Sequence, residues 1–314
     1  MKALQFRQYG GRDVLELNAN VPRPAPAKGQ VLVQVQAASI NPVDWKIRLG
    51  YLKEYIPLTM PATLGVDFTG LIVDTAGSDS GLKLGDRVYG YASPLTGGSG
   101  SFAEFATVPI SNVARAPQKG NAHEAAALPL AGASALQALE EHLKLQRGQK
   151  ILIHGGGGGI GSLAIQIAKV IGASVATTAA GEDLTYVRSL GADVVIDYRT
   201  EAFESKVKSV DAVFDTVGGL TTTKSFQVLR PGGCLVSMHG QPDQTMATQY
   251  GITVMGQLTH VTTDVLSRLR ELVEGGHVNI RIAKVFPLSR SKEAFELAEE
   301  GHPKGKVVFD VLAD

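Results

Sequence analysis

The stretch that decides the fold is ILIHGGGGGIG, residues 151–161. A short apolar run ends at His154, and five consecutive glycines follow it before an apolar-periodic segment over residues 162–171. Glycines allow a tight turn after a strand and let the next helix pack closely against that strand. Gly156, Gly158 and Gly161 have the GxGxxG spacing that joins the first strand to the first helix in doubly wound parallel sheets.

This loop predicts a binding site for the pyrophosphate of a dinucleotide. The unpaired N–H groups at the start of the helix and the helix dipole both favour an anion, and glycine lets a phosphate approach the backbone. We expect contacts from Gly156, Gly158, Gly159, Ile160 and Gly161. A flexible linker is the alternative interpretation, but linkers are not flanked on both sides by segments of buried type.

Composition limits the possible partners and compartments. The 314 residues are 44% hydrophobic, which is enough for two domains. The 30 basic and 30 acidic residues balance, and the sequence shows no basic stripe, so we expect neither a nucleic-acid nor a membrane partner. No window approaches the roughly 18 uninterrupted apolar residues of a membrane span. We therefore expect a cytoplasmic location. Cys234 is the single cysteine, which excludes an intrachain disulfide.

The sequence pattern changes near Glu124. Before it, the alternating run over 31–37 and the short runs over 70–75 and 87–91, separated by turn residues, predict a β-rich, barrel-like domain. After it, a long helical stretch broken near Pro129 leads into alternating strands and helices. Such alternation with apolar strands predicts a parallel sheet covered on both faces.

The predicted elements of this second part follow from hydrophobic periodicity. Strands are expected at 150–154, 174–178, 193–197, 212–216, 233–238, 253–258, 281–287 and 306–311. Helices are expected at 161–171, 184–190, 222–229, 264–274 and 290–300. We predict three consecutive regions, which are a β-rich domain over 1–118, a nucleotide-binding domain over 119–254, and a return to the first domain over 255–314.

The order of short motifs along the chain resembles the quinone oxidoreductase branch of the medium-chain dehydrogenase/reductase superfamily. Besides the glycine loop, the motifs are SINPVDWK (39–46), LGVDFTG (64–70), LGDRVYG (84–90), GSFAEF (100–105), ALPLAG (127–132), LGAD (190–193), DTVGG (215–219) and GKVV (305–308). They run almost from end to end. The resemblance implies an α/β fold with a GroES-like β-barrel catalytic domain and a doubly wound parallel-sheet Rossmann domain.

Two segments depart from the zinc alcohol dehydrogenases of that superfamily. Those enzymes have a Gly-His-Glu segment where this chain has residues 65–67 (GVD), and a Cys-Gly-x-Asp segment where it has residues 41–44 (NPVD). A catalytic zinc needs three protein ligands, usually His, Cys or carboxylate, and both of these ligands are missing. We therefore expect no metal, and an acceptor that is already electrophilic, because no Lewis acid polarises it.

The end of the second strand bears on the choice of nicotinamide cofactor. An NAD-specific site has an acidic residue there, about 20 residues after the glycines, to bind the ribose 2′-hydroxyl. This chain has Thr178, which does not repel a 2′-phosphate, so we expect NADPH. Glu182 and Asp183 keep NADH open, although we interpret them as first-turn helix residues. The resemblance implies that Tyr198 and Arg199 approach the 2′-phosphate.

The resemblance also implies a catalytic group of Asn41, Asp44 and Lys46 beside the nicotinamide ribose and the acceptor. Lys46 would bind a cofactor hydroxyl or phosphate, or polarise the acceptor carbonyl. Alternatively, Asp44 and Lys46 are solvated residues of a short helix, and the lysine of the GKVV motif is a surface residue. The further cofactor contacts that the family implies are Leu128, Pro129, Ser134, Thr216, Val217, Gly218 and Lys306.

These features predict an NADPH-dependent, zinc-independent oxidoreductase that transfers a hydride to a quinone or other α,β-unsaturated carbonyl compound. An alkenal or enoyl-thioester double-bond reductase is the alternative enzyme. A crystallin-like or regulatory protein that binds NADPH without turnover is the alternative outside enzymes. Tyr51, Tyr55, Tyr91 or water could supply the proton that follows the hydride. The family implies a homodimer.

Overall fold

The computed structural model describes residues 1–78, 80–301 and 303–313. Its strands are β1 (Ala3–Phe6), β2 (Glu16–Asn18), β3 (Gln30–Ser39), β4 (Ala62–Thr63), β5 (Asp67–Asp74), β6 (Arg87–Tyr91), β7 (Phe105–Pro109), β8 (Val113–Arg115), β9 (Lys150–His154), β10 (Ser174–Ala179), β11 (Val194–Asp197), β12 (Val210–Asp215), β13 (Leu229–Ser237), β14 (Thr253–Gly256), β15 (Ile282–Pro287) and β16 (Lys306–Asp310).

The α-helices are α1 (Pro42–Arg48), α2 (Ala122–Ala127), α3 (Pro129–Leu136), α4 (Gly159–Ile171), α5 (Asp183–Ser189), α6 (Phe203–Lys206), α7 (Leu220–Ser225), α8 (Gln244–Gln249), α9 (Thr263–Glu274) and α10 (Ser291–Glu300). The predicted break near Pro129 separates α2 from α3, and α3 continues into a π-helical turn at Gln137–His142. Within the described residues, no helix combines the length and apolar character that a membrane span requires.

The chain forms two compact units. The first consists of Met1–Leu130, Val261–Gly275 and Ile280–Asp314, and the second consists of Ala131–His260 and Gly276–Asn279. The domain boundaries expected after residues 118 and 254 stay a prediction.

The first unit is built on antiparallel strand pairs around β3. In the described residues, its larger sheet has the order β15-β16-β3-β5-β6-β8, with β7 also paired to β3, and its smaller sheet has the order β2-β1-β4. Ser39, the last residue of β3, pairs with Asp67 on one side and with Val308 on the other. This register brings together the end of β3 and the starts of β5 and β16, three motifs that are far apart in sequence.

The second unit contains a parallel sheet in the order β11-β10-β9-β12-β13-β14 among the described residues. Counted from β9, this is the order 3-2-1-4-5-6 of a dinucleotide-binding fold. The strand order reverses between β9 and β12, and ligands of such sheets bind outside the carboxyl ends of the strands at this point. The predicted combination of a GroES-like domain and a Rossmann-type parallel sheet is confirmed.

Most predicted elements of the parallel sheet agree with the structure within two or three residues at their ends. Strand β9 coincides with the predicted 150–154, and α4 begins two residues earlier than predicted. The helix expected over 222–229 is wrong at its end, because α7 stops at Ser225, a 3₁₀ turn follows, and Leu229 pairs with Val210 as the start of β13. Strand β14 forms an edge of the sheet and ends at Gly256.

Candidate functional site

The glycine loop between β9 and α4 is packed tightly against its neighbours in the second unit. Gly156 N–H donates to the carbonyl oxygen of Thr178 at 3.0 Å. A methyl group on Gly156 would lie 2.2 Å from Thr177 Oγ1, and one on Gly161 would lie 2.2 Å from Gly155 O. Both distances are too short for real carbon atoms. These two glycines are therefore required by the packing of the loop on its strand and helix.

Gly158 differs because little of the protein occupies the space beside it. It is exposed and caps the N-terminus of α4, and a methyl group there would meet only Gly155 O, at 3.3 Å. The first N–H groups of a helix have no intrahelical acceptors, and those of α4 follow directly at Gly159 and Ile160. The open space beside the N-terminus of this 13-residue helix fits the pyrophosphate of a dinucleotide.

The threonine hydroxyls at the ends of the two flanking strands make hydrogen bonds within the second unit. Thr178 Oγ1 accepts the N–H of Gly155 at 3.2 Å and lies 3.2 Å from His154 Nδ1. Thr216 Oγ1 donates to the carbonyl oxygen of His154 at 2.7 Å. Thr178 is only 4% exposed. The hydroxyl of Thr178 therefore holds the loop, and the predicted contact of Thr178 with the cofactor stays a prediction.

Charged groups of both signs stand near the end of β10. The Tyr198 N–H donates to Ala179 O, which ties the segment after β11 to the end of β10, and the side chains of Tyr198 and Arg199 are exposed. The Asp183 carboxylate lies on the loop itself, since a methyl group on Gly157 would be 2.6 Å from its Oδ2. The guanidinium of Arg199 is exposed, and its contact with a 2′-phosphate stays a prediction.

The turn after β12 is fixed by the last residue of that strand. The N–H groups of Val217 and Gly218 both donate to Asp215 Oδ1, at 2.9 and 3.0 Å. Gly218 has φ +84°, a conformation that favours glycine. Val217 is 49% exposed, so its side chain remains accessible at the carboxyl edge of the sheet.

The residues predicted around the start of α3 are buried. Leu128 and Pro129 belong to the first unit and have little exposed surface. Ser134 belongs to the second unit, where its Oγ lies 2.9 Å from Thr259 Oγ1 and its carbonyl oxygen accepts from Gln257 Nε2 at 3.0 Å. Their predicted cofactor contacts stay a prediction.

A buried polar cluster forms in the first unit where β3, β5 and β16 meet. Asn41 is its centre, because its Nδ2 donates to Asp67 Oδ2 at 2.9 Å and its Oδ1 accepts from Lys306 Nζ at 2.5 Å. Lys306 Nζ also donates to Ile40 O at 2.8 Å. Asp44 Oδ2 accepts the N–H of Asn41 at 2.7 Å. The structure therefore brings together three of the predicted site residues, Asn41, Asp44 and Lys306, and adds Asp67.

Burial determines the charge state of this cluster. Asp44, Asp67 and Lys306 are all less than 10% exposed. Burial raises the pKa of Asp44 to about 8, against the opposing effects of the Asn41 N–H and of Lys306. Burial also raises the pKa of Asp67 to about 6, against the attraction of Lys306. At neutral pH these pKa values favour a protonated Asp44 and an ionised Asp67, whose charge attracts Lys306 while burial lowers the pKa of that lysine. Asp44 Oδ1 has no hydrogen-bond partner within the described residues.

Asp67 also anchors a helix. Its Oδ1 accepts the N–H of Leu130 in the first turn of α3 at 3.0 Å, where a negative charge is favoured by the helix dipole. Ser39 Oγ donates to Asp67 Oδ2 at 3.3 Å.

Lys46 does not belong to the cluster. It lies on α1 two residues after Asp44, and residues two apart on a helix do not face the same way. Asp44 is buried, whereas Lys46 is exposed. The predicted catalytic group is therefore divided, with Asn41 and Asp44 inside the first unit and Lys46 at its surface.

Comparisons with known proteins agree with this fold. The alcohol dehydrogenase GroES-like domain family matches residues 27–118, and the zinc-binding dehydrogenase family matches residues 190–309. The chain is similar to the 2-methylene-furan-3-one reductase of Solanum lycopersicum and to the NADPH-dependent alkenal/one oxidoreductase, chloroplastic, of Arabidopsis thaliana. Each is 39% identical over 98% of this chain and 79% of the relative. The solved structure of the quinone oxidoreductase from Coxiella burnetii is 36% identical, covers 99% of both chains and has a TM-score of 0.88.

The chain belongs to the quinone oxidoreductase branch of the medium-chain dehydrogenase/reductase superfamily. It is an oxidoreductase of that branch, as the motif order predicted. The cytoplasmic location and the homodimer stay predictions, and the name of the relative from Arabidopsis thaliana carries the word chloroplastic.

One matching family is named for zinc, but residues 65–67 and the groups around Asp67 do not suit a catalytic zinc. Val66 offers no donor atom. Asp67 already accepts from N–H and O–H groups on both oxygens, and the ammonium of Lys306 supplies the positive charge beside it. Among the described residues, no group of three His, Cys, Asp or Glu side chains is arranged to hold a metal ion.

One member of the cluster, Asp67, was missed from the sequence. It lies in the LGVDFTG motif at the position where the zinc enzymes carry an acidic residue, and that position was the signal for it.

Proposed function

We propose that this oxidoreductase is an NADPH-dependent, zinc-independent reductase that transfers a hydride to a quinone or other α,β-unsaturated carbonyl acceptor. The observation that carries the proposal is the cluster around Asn41, in which Lys306 Nζ lies at hydrogen-bond distance from Asn41 Oδ1 and Val66 offers no ligand atom for a metal. Without a Lewis acid, the oxidation of a simple alcohol loses a main source of catalysis. A conjugated carbonyl is electrophilic without a metal, so its reduction remains feasible.

Bound NADPH would supply the hydride, and the acceptor would take up one hydride and one proton. The chain's own residues bind and orient. The N–H groups at Gly159 and Ile160 bind the pyrophosphate, Arg199 pairs with the 2′-phosphate, and the turn at Val217 borders the same edge of the sheet. In the first unit, Lys306 and Asp67 hold Asn41 from both ends of its amide group.

A double-bond reductase that acts on alkenals or enoyl thioesters is the second candidate. Two relatives at 39% identity are named as a furanone reductase and an alkenal/one oxidoreductase, which favours an enone or enal over a quinone. The exposed side chains of Tyr51 and Tyr55 lie in the segment after α1 and offer apolar surface to such acceptors. An NADPH-binding protein without turnover is the candidate outside enzymes.

Steady-state kinetics of the full chain test these candidates. NADPH oxidation is followed at 340 nm with an ortho-quinone, an α,β-unsaturated ketone, an alkenal and an enoyl thioester, and is compared with NADH. We expect acceptor-dependent oxidation with a lower KM for NADPH and no loss after dialysis against a chelator. A chelator-sensitive rate would contradict zinc independence. NADPH binding without oxidation by any acceptor would contradict both enzyme candidates and support the NADPH-binding protein without turnover.

A further inference from the structure

A single peptide group at the end of β9 is held from both sides by the neighbouring strands. Its carbonyl, from His154, accepts from Thr216 Oγ1 at 2.7 Å just after β12. Its N–H, from Gly155, donates to Thr178 Oγ1 at 3.2 Å on β10. Because both bonds act on one planar peptide unit, the plane cannot rotate while both are present. This peptide is the last one before the glycine turn, so its orientation sets the direction of the loop.

The hydrogen bonds of the His154 ring have defined directions. Ser225 Oγ donates to Thr221 O at 2.7 Å, so the same hydroxyl can only accept from His154 Nε2, 2.9 Å away. Nε2 therefore carries the hydrogen of the neutral ring, and Nδ1 is an acceptor. The Thr178 hydroxyl, 3.2 Å from Nδ1, donates to it and keeps its lone pairs for the N–H of Gly155.

The surroundings keep the ring neutral and in place. His154 is 1% exposed, and it packs edge-on against Phe203 with ring centroids 4.6 Å apart. Burial lowers the pKa of His154 to about 4, although Asp215 and Glu204 favour the charged form. A charged ring would carry a hydrogen on Nδ1 as well, and the Thr178 hydroxyl would lose its acceptor.

We propose that His154 is a positioning residue for the dinucleotide loop, which acts through Thr178 on the Gly155 peptide and thereby sets the affinity for the cofactor pyrophosphate. The inference rests on the proposed NADPH binding and deepens it. It assigns Thr178 to the loop and leaves recognition of the 2′ position to exposed groups such as Arg199.

Two substitutions of His154 separate positioning from simple packing. In His154→Asn, the amide oxygen can take the place of Nδ1 and accept from Thr178, whereas in His154→Gln, the longer side chain reaches Ser225 and leaves Thr178 without its acceptor. NADPH binding to the full chain is measured by titration calorimetry, and stability by thermal unfolding. We expect the Kd of His154→Asn to stay within about threefold of wild type and that of His154→Gln to rise about tenfold, the loss of roughly one hydrogen bond.

Thr178 provides the second arm of the test. Thr178→Val removes the hydroxyl and should also raise the Kd about tenfold, and Thr178→Ser should restore it. The double variant of His154→Gln and Thr178→Val should bind no more weakly than either single variant, because both break one chain of contacts. Thr69→Val is the matched control, since Thr69 is a buried threonine of the first unit whose hydroxyl donates to Val88 O. It should lower stability without changing the Kd.

Equal weakening by His154→Asn and His154→Gln, in proportion to their loss of thermal stability, would overturn the inference. Additive effects of His154→Gln and Thr178→Val would also overturn it. If His154→Gln does not fold, Thr178→Val and Thr178→Ser decide the question. Wild-type protein that fails to bind NADPH overturns the proposed function and this inference together, whereas a wild type that binds alongside unaffected variants overturns this inference alone.

Discussion

Lys306 is a buried lysine whose side-chain nitrogen forms hydrogen bonds with protein oxygens. Its side-chain nitrogen donates to Ile40 O and Asn41 Oδ1, and burial lowers its pKa against the attraction of the Asp67 carboxylate. A buried ion pair contributes modestly overall, but removal of one partner leaves the other charge uncompensated.

Replacement of Lys306 by Met should therefore be strongly destabilising. The variant leaves the Asp67 carboxylate without its cation, and we expect the free energy of unfolding to fall by about 3–5 kcal/mol in urea at pH 7. Lys284→Met is the matched control, because Lys284 is an exposed lysine of the same unit. It should change stability by no more than about 0.5 kcal/mol. Equal stability of the two variants would show that the cluster does not depend on its cation.

The sequence identified some members of the cluster but not the contacts between them. Asn41, Asp44 and Lys306 came from the family resemblance. Their meeting depends on the pairing of Ser39 with Asp67 and Val308, a register that no local pattern contains. The separation of Asp44 from Lys46 follows from helical geometry, and the alternative that both are solvated is wrong for Asp44, which is buried.

Helix α4 and its glycine loop form the element to which we assign cofactor binding. Gly161 packs against Gly155 O, whereas Gly158 is open on the side where an anion would bind. The two glycines thus have different reasons to lack a side chain.

A pair of alanine substitutions distinguishes these reasons. Gly158→Ala should change the free energy of unfolding by no more than about 0.5 kcal/mol, since Gly158 has φ −77°, but should raise the Kd for NADPH about tenfold. Gly161→Ala should lower stability by about 1–3 kcal/mol, because the methyl group overlaps Gly155 O. Urea unfolding and calorimetric titration measure both. Unchanged NADPH binding by Gly158→Ala would place the pyrophosphate elsewhere.

Elements were predictable where local chemistry decides them. Strand β9 is an apolar run bounded by Lys150 and the glycines, and its ends were predicted correctly. The end of α7 was not, because Leu229 is apolar and would be buried in a helix or a strand alike. The π-helical turn at Gln137–His142 leaves no signal in the hydrophobic period.

The whole molecule carries buried titratable groups with opposite responses to pH. Burial raises the pKa of Asp44 to about 8 and that of Asp67 to about 6, from about 3.8 in an unfolded chain. The folded state therefore binds more protons than the unfolded state, and this contribution is full below pH 3.8 and is lost as the pH rises through 6 and 8. His154, whose pKa is lowered from 6.5 to about 4, contributes stability above pH 6.5 that is lost as the pH falls towards 4.

Asp44→Asn should flatten the alkaline side of this profile. The urea midpoint of the wild type should fall between pH 6.5 and 8.5. Over this range Asp44 is already ionised in the unfolded chain, whereas in the folded state it loses its proton only near pH 8. The asparagine keeps an oxygen for the Asn41 N–H and does not titrate, so its midpoint should fall less over this range. Parallel curves for the two proteins would show that Asp44 ionises normally in the fold.

The interleaving of the two units has a consequence for synthesis on the ribosome. The second unit has its last residues at Gly276–Asn279, so a nascent chain carries the whole parallel sheet and its glycine loop before the final strands emerge. The first unit must wait, because β16 pairs with β3 across more than 260 residues, and long-range pairing is slow. A chain arrested before β16 would hold Asn41 and both aspartates with no ammonium beside them. Translation thus finishes the unit that carries the glycine loop first and the buried cluster around Asn41 last.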